Sequence, residues 1–198
     1  MTRPAALLLW LALIAAPLVG PDARDDVWAW VRDLCTGRWA GTDPWVVAHF
    51  LAMAIWPTWL ILLLRERLFS RPVPAAPFAF GGFCLGAYAL LPWFVLGGPA
   101  QPARPSPRAH RATRPIAALG LTVAAALTGW GLWAGDLQAW ADVARTDGFV
   151  WTMTADFGAF WLAAVAVARR RGGRWALTLL PLFGAGLYLL TEPPDPAR

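Results

Sequence analysis

The chain has 198 residues and a mean hydropathy of +0.49; 58% of its residues are hydrophobic and only 15% are charged. Because soluble domains carry about 25% charged residues, this composition favours a membrane protein over a soluble one. The net charge of +5 comes from 17 arginines and no lysine. Since the arginines stand at the ends of apolar blocks, we predict no nucleic-acid partner.

Six apolar blocks follow one another along the chain, and together they predict an all-α fold. The predicted spans are residues 5–20, 45–64, 78–96, 116–133, 149–168 and 175–190. A spanning helix needs roughly 20 residues, with about 17 as the lower limit, so the first and last blocks are slightly short. Helices satisfy their own backbone groups in lipid, which favours a polytopic transmembrane helix bundle of about six spans.

Two of these segments leave an alternative open. Residues 5–20 follow a basic start and precede small residues, so they also fit a signal peptide. Residues 78–96 contain Gly81, Gly82 and Pro92, which would permit a re-entrant segment instead of a span. A re-entrant segment gives the cleaner charge split, because every acid-rich loop then lies on the outer face. Hydropathy favours six spans, and the orientation in the membrane stays open.

The two halves of the chain resemble each other. The stretch "VWAWVRD" at 27–33 resembles "LQAWADV" at 137–143, and "GAYAL" at 86–90 resembles "GLYLL" at 186–190. We therefore predict a three-helix half at 1–98, a Pro/Arg-rich loop at 99–115 and a second three-helix half at 116–198. Three spans per half would make the repeats inverted, a plan common in transporters.

Asp156 is a carboxylate inside the fifth block, about 12 Å along the helix from its start at 1.5 Å per residue. An ionised Asp at a helix centre costs roughly 2.5–3.5 kcal/mol, so its side chain is expected to face the bundle. It is a candidate proton or ligand site. The alternative is a hydrogen bond that locks helix packing, with Thr152, Thr154 or a tyrosine hydroxyl as partner.

His49 is the histidine inside an apolar block. Its neutral ring nitrogen could ligate the magnesium of a chlorophyll-type pigment or a haem iron. The alternative is a hydrogen bond to a neighbouring helix. We predict no cofactor and no metal site, with pigment or haem on His49 as the open alternative. A contact between His49 and Asp156 would follow from pseudo-symmetry between the halves.

Further candidates are the two tyrosines and the arginines at helix ends. Tyr88 and Tyr188 occupy matching places in the two halves, and their hydroxyls need partners in lipid. The arginines that we expect to contact lipid headgroups are Arg65, Arg67, Arg169, Arg170, Arg171 and Arg174. The chain has none of the common phosphate-binding, dinucleotide-binding, zinc-protease or serine-hydrolase motifs, so we predict no catalytic residues.

The Ala-Asp-Phe motif at 155–157, the arginines after it and the ending "LPLFGAGLYLL" bring a family into view. About the last 65 residues resemble DUF2834-type small multi-span membrane proteins of bacteria, cyanobacteria and plastids. The resemblance implies an all-helical membrane protein and carries no catalytic residue with it. We predict a location in the inner membrane of a bacterium.

Three functions are compatible with these features. The first is a non-enzymatic membrane protein that packs against other membrane subunits or holds a lipophilic molecule in its bundle. The second is a small carrier with inverted repeats, in which Asp156 is the coupling acid. The third is a membrane enzyme of lipid or isoprenoid chemistry, or a pigment-associated subunit, that uses His49. The scarcity of polar residues in the apolar blocks favours the first.

Overall fold

The computed structural model describes residues 1–69, 73–96 and 107–192, and these residues form helices and no strand. The α-helices are α1 (Arg3–Val19), α2 (Val27–Cys35), α3 (Pro44–Ala52), α4 (Ile55–Leu63), α5 (Ala76–Leu85), α6 (Ala87–Leu96), α7 (Pro107–Ala134), α8 (Leu137–Thr146), α9 (Gly148–Arg171) and α10 (Gly184–Thr191). A 3-10 helix, Trp175–Leu179, lies between α9 and α10. The all-α prediction is therefore confirmed.

Three helical runs are long and apolar enough to cross a membrane: Pro44–Leu63, Ala112–Ala134 and Gly148–Arg171. The first comprises α3 and α4, separated by one turn at residues 53–54. Pro57 explains that turn, because it has no N–H to donate to the carbonyl of Met53 and its ring crowds that carbonyl. The other apolar helices have 10 to 17 residues, so six continuous spans are not what the described residues form.

The third predicted segment, 78–96, is not one helix, and this part of the prediction is wrong. It consists of α5 and α6, which fold back on each other at Gly86. The indole N–H of Trp93 donates to the carbonyl of Val73 at 2.9 Å, so the outer ends of the two helices meet. Gly86 has φ +63° and ψ −150°, a conformation that only glycine adopts readily and that breaks the helix there.

The sixth predicted segment, 175–190, folds back in the same way. The 3-10 helix begins just after Arg171, and α10 ends just before Glu192, whose carboxylate lies 2.6 Å from the Arg171 guanidinium. The tip of this hairpin is Leu182, with φ +63°, whose carbonyl accepts from the Trp59 indole at 2.8 Å. The segment therefore returns to the side from which it started.

The two ends of the bundle differ in charge. The arginine face, at the ends of α4 and α9 and the start of the long apolar part of α7, carries Arg65, Arg67, Arg114, Arg169, Arg170, Arg171 and Arg174. The acidic face lies at the opposite end and carries Asp22, Asp43, Asp136 and Asp147. There the backbone N–H of Gly148 donates to the carbonyl of Asp22, and that of Asp136 donates to the Asp43 carboxylate.

Each half of the chain has the same order of elements: a long helix, a short helix at the acidic face, a second long helix and a fold-back pair. These are α1, α2, α3–α4 and α5–α6, then α7, α8, α9 and the 3-10 helix with α10. Both halves start at the arginine face and run in the same direction, not in the inverted arrangement that three crossings per half would give. The predicted loop 99–115 lies partly outside the described residues, and from Pro107 onward it is helix α7.

Candidate functional site

Asp156 lies in the middle of the bundle and holds the tip of the first hairpin. Its side chain belongs to a residue that is only 5% exposed, and its Oδ1 accepts a hydrogen bond from the backbone N–H of Ala87 at 2.7 Å. Ala87 is the first residue of α6, so the carboxylate satisfies one of the unpaired N–H groups at a helix start. It also carries the charge that the positive end of the helix dipole favours.

Gly86 makes this contact possible. A Cβ built on Gly86 would collide with the Asp156 carboxylate, and the positive φ of this residue disfavours any other side chain. The partner of Asp156 is therefore a backbone group of another helix, 69 residues earlier in the chain. Of the alternatives set out from the sequence, the hydrogen bond that locks helix packing describes this contact, although its donor was not among the groups considered.

Removal of the Asp156 carboxylate should destabilise the protein. In Asp156→Leu the buried N–H of Ala87 loses its acceptor, which costs about 1–3 kcal/mol. Asp156→Asn keeps a carbonyl oxygen for that N–H and should lose less than half as much. Thermal unfolding in detergent, followed by tryptophan fluorescence, measures the difference. Equal melting temperatures for Asp156→Leu and the unmodified protein would show that the carboxylate contributes nothing to packing.

The two tyrosines do not join Asp156 in one cavity. The Tyr88 hydroxyl donates to the carbonyl of Leu13 in α1 at 2.8 Å, so it ties the first hairpin to α1. Tyr188 is 4% exposed and lies in α10, within the electrostatic reach of Arg171 and Glu192 near the arginine face. The hydroxyls therefore serve different contacts, one in each half.

His49 lines a cavity of about 230 Å³ that opens beside α8. We call it the His49 cavity; its wall includes His49, Ala52, Leu127, Trp140, Phe157 and Leu182. The wall combines side chains from α3, α7, α8 and α9 with the tip of the second hairpin. It is almost entirely apolar, and aromatic rings flank the histidine: Trp140 at 5.6 Å and Phe157 at 5.3 Å between ring centroids.

The hydrogen bond to Trp140 determines the tautomer of His49. The Trp140 indole N–H can only donate, and it lies 3.1 Å from Nδ1 of His49. Nδ1 must therefore be the acceptor, and the ring proton of the neutral imidazole is on Nε2. This Nε2 is buried and has no hydrogen-bond partner among the described residues. The ring thus leaves one N–H donor unsatisfied.

This tautomer does not suit axial ligation of a haem iron or a chlorophyll magnesium. A ligating Nε2 needs its lone pair, which would move the ring proton to Nδ1 and place it against the indole N–H of Trp140. His49 and Asp156 also have different partners, so the contact between them that the sequence suggested is not seen. Within residues 1–69, 73–96 and 107–192, no three His, Cys, Asp or Glu side chains cluster as metal ligands would.

A buried ionic network closes the arginine face. The Arg171 guanidinium contacts Glu66 at 2.7 Å and Glu192 at 2.6 Å, and Arg65 contacts Glu192 at 2.6 Å. Both arginines also donate to backbone carbonyls at the end of α4, those of Leu62 and Leu63. Arg65 and Arg171, which the sequence suggested as lipid contacts, are therefore engaged with carboxylates.

The network was missed at the level of sequence because Glu66 and Glu192 lie 126 residues apart and no local pattern joins them. Burial opposes ionisation of Glu192, but the hydrogen bonds and charges of Arg171 and Arg65 outweigh it and hold the pKa of this carboxyl below its ordinary value. Arg67, Arg169, Arg170 and Arg174 lie on the same face outside the four-residue network. The Arg169 guanidinium lies 5.5 Å from the Trp175 ring centroid.

We compared the chain with protein-family models, with curated proteins and with solved structures. No match was found in any of the three comparisons. The resemblance of the last third to DUF2834-type proteins therefore stays a prediction. What the protein does has to be argued from its own geometry.

Proposed function

We propose that this chain is an integral membrane protein with four spans and two re-entrant hairpins. The spans are α1, α3–α4, the apolar part of α7, and α9; the hairpins are α5–α6 and the 3-10 helix with α10. α5 and α6 have 10 residues each, or about 15 Å at 1.5 Å per residue, which is half of a hydrocarbon core of about 30 Å. The hairpin tip then lies near the bilayer centre, where exposed backbone is tolerated only inside protein.

The arginine distribution supports one orientation for this arrangement. Positively charged loops stay in the cytoplasm, so the arginine face is cytoplasmic. Among the described residues, the arginines of this face, together with Arg3 at the start of α1, outnumber those near the acidic face, which are Arg24, Arg32, Arg38 and Arg145. The inner membrane of a bacterium is the location we propose.

Within this frame we propose that the protein binds an uncharged lipophilic molecule in the His49 cavity and is not an enzyme. The observation that carries the proposal is an apolar cavity of about 230 Å³ inside a helix bundle, with a buried histidine N–H that lacks an acceptor. Pockets for drug-sized ligands start near 300 Å³, so this one suits a single ring system or a segment of one acyl or isoprenyl chain.

The unsatisfied donor narrows the chemistry of that molecule. A carbonyl, ether or hydroxyl oxygen on the ligand would give Nε2–H of His49 the acceptor that the protein does not supply. A charged ligand is disfavoured, because no carboxylate or guanidinium lines the cavity to pair with it. A quinone-like or ester-bearing lipid combines these properties.

The position of Asp156 argues against the carrier alternative. Its carboxylate is occupied by the Ala87 N–H and wedged against Gly86, and it does not line the His49 cavity. A coupling acid has to exchange its proton beside the transported molecule. Asp156 is placed instead to hold the hairpin tip.

Extraction of the purified protein tests the proposal. We expect organic solvent to release an uncharged lipid at about one molecule per chain, identified and quantified by mass spectrometry. Ala52→Phe should abolish its retention, because Ala52 is 4% exposed and lines the cavity. Ala126→Phe, on an exposed position of α7, is the matched control and should retain the molecule. Equal amounts in both variants, or none in the unmodified protein, would contradict the proposal.

A further inference from the structure

A second cavity, of about 280 Å³, opens at the arginine face between the ends of α4, α6 and α9. We call it the arginine cavity; its lining includes Glu66, Arg67, Trp93, Phe94, Arg170 and Arg171. One side of it is therefore cationic and the other is aromatic and aliphatic, with Leu63, Leu64 and Val167 completing the apolar side. It is distinct from the His49 cavity in place and in chemistry.

The charges around this cavity do not cancel. Arg65 and Arg171 balance Glu66 and Glu192 within the ionic network. Arg67 and Arg170 add two positive charges beside that neutral set. Burial lowers the pKa of Arg67; Glu66 opposes this effect, and the neighbouring charges of Arg170 and Arg171 add to it. A bound anion would relieve this crowding of cations.

We propose that the arginine cavity binds the phosphate group of an anionic membrane phospholipid, with one acyl chain along its apolar side. Guanidinium groups match phosphate because their planar forks donate paired hydrogen bonds to its oxygens. The apolar side explains why an amphiphile fits better than a free anion, since Trp93 and Phe94 offer no donor to a second phosphate oxygen: the Trp93 indole N–H is engaged with Val73.

The proposal differs from general attraction of a basic face to anionic lipid. General attraction depends on the number of arginines and is shared by all of them. A built site depends on Arg67 and Arg170, which line the cavity, and not on Arg174, which is exposed on the same face and does not line it. The inference does not depend on what occupies the His49 cavity.

Native mass spectrometry of the full chain in detergent tests this, with dioleoyl phosphatidylglycerol titrated against dioleoyl phosphatidylcholine. We expect the unmodified protein to prefer phosphatidylglycerol by about tenfold or more, as two favourable arginine contacts imply. Arg67→Gln with Arg170→Gln should remove that preference. Arg170→Gln alone, at an exposed position, should reduce it without affecting folding, and Arg174→Gln should leave it within about twofold.

Two further probes separate the source of the phosphate. Glycerol 3-phosphate and inorganic phosphate carry the anion without acyl chains, and we expect either to compete only at concentrations far above those of the lipid. Competition at equal concentrations would mean a site for a free phosphate and would overturn the lipid assignment. A loss of preference in Arg174→Gln as large as in the double variant would overturn the built site itself.

Discussion

Replacement of Gly86 by alanine should unfold or severely destabilise the protein, with a cost of about 3 kcal/mol or more. A non-glycine residue in this backbone conformation alone costs of order 1–3 kcal/mol. The added Cβ would also collide with the Asp156 carboxylate, which is fixed by its hydrogen bond to Ala87. We expect a large drop in melting temperature in detergent, together with loss of a monodisperse peak in gel filtration.

The matched control for this variant is Gly158→Ala in α9. A Cβ on Gly158 meets no atom within 4 Å, and an alanine is favoured over glycine inside a helix by up to about 1 kcal/mol. This change should be neutral or slightly stabilising. If Gly86→Ala melts at the same temperature as Gly158→Ala, the close approach of Asp156 to the hairpin tip is not a feature of the folded protein.

The second large effect is expected for Arg171→Ala. Removal of this guanidinium leaves Glu66 and Glu192 without one of their cations in a place where their side chains are 8% and 17% exposed. Breaking a buried ion pair on one side typically costs about 3–5 kcal/mol, because the remaining charge is left uncompensated. The variant should also release the end of α10, since Glu192 is the residue that follows that helix.

Arg169→Ala is the control for Arg171→Ala, because it removes the same charge from an exposed position two residues away. Its cost should stay below about 1 kcal/mol. Hydrogen exchange followed by mass spectrometry would show whether residues 184–191 gain exchange in Arg171→Ala only. A variant that keeps both its melting temperature and its protection in α10 would remove the ionic network from the list of interactions that hold the fold together.

The long helices could be predicted from sequence because their signal is continuous. α9 carries an unbroken apolar run with an aspartate cap before it and three arginines at its end, and its bounds agree with the predicted span to within a few residues. The run 45–64 was likewise found, although the turn before α4 depends on Pro57 and was expected only as a kink. Hydropathy over about 20 residues is sufficient for such elements.

The hairpins could not be predicted in the same way because hydropathy does not report direction. A fold-back pair of two ten-residue helices has the same apolar length as one spanning helix. The difference lies in Gly86, and a glycine inside an apolar run is equally compatible with close helix packing. Leu182, at the tip of the second hairpin, gave no signal at all, since leucine rarely adopts a positive φ.

The candidate site was predicted residue by residue but not as an arrangement. Asp156 was singled out because a carboxylate in an apolar helix requires a partner, and the structure provides one. That partner is a backbone N–H at a helix start, which no side-chain pattern could indicate. His49 was also singled out, but the cavity beside it depends on the second hairpin, whose course the sequence did not specify.

Side-specific cysteine labelling measures most directly whether α5–α6 is a re-entrant hairpin. Phe69, before the hairpin, is 83% exposed, and Leu96, at its end, is 62% exposed. In a background of Cys35→Ser and Cys84→Ser, Phe69→Cys and Leu96→Cys should both react with a membrane-impermeant maleimide from the cytoplasmic side only. Native Cys35, kept alone with Cys84→Ser, should react from the opposite side. Labelling of positions 69 and 96 from opposite sides would mean that the segment crosses the membrane, and would contradict the account.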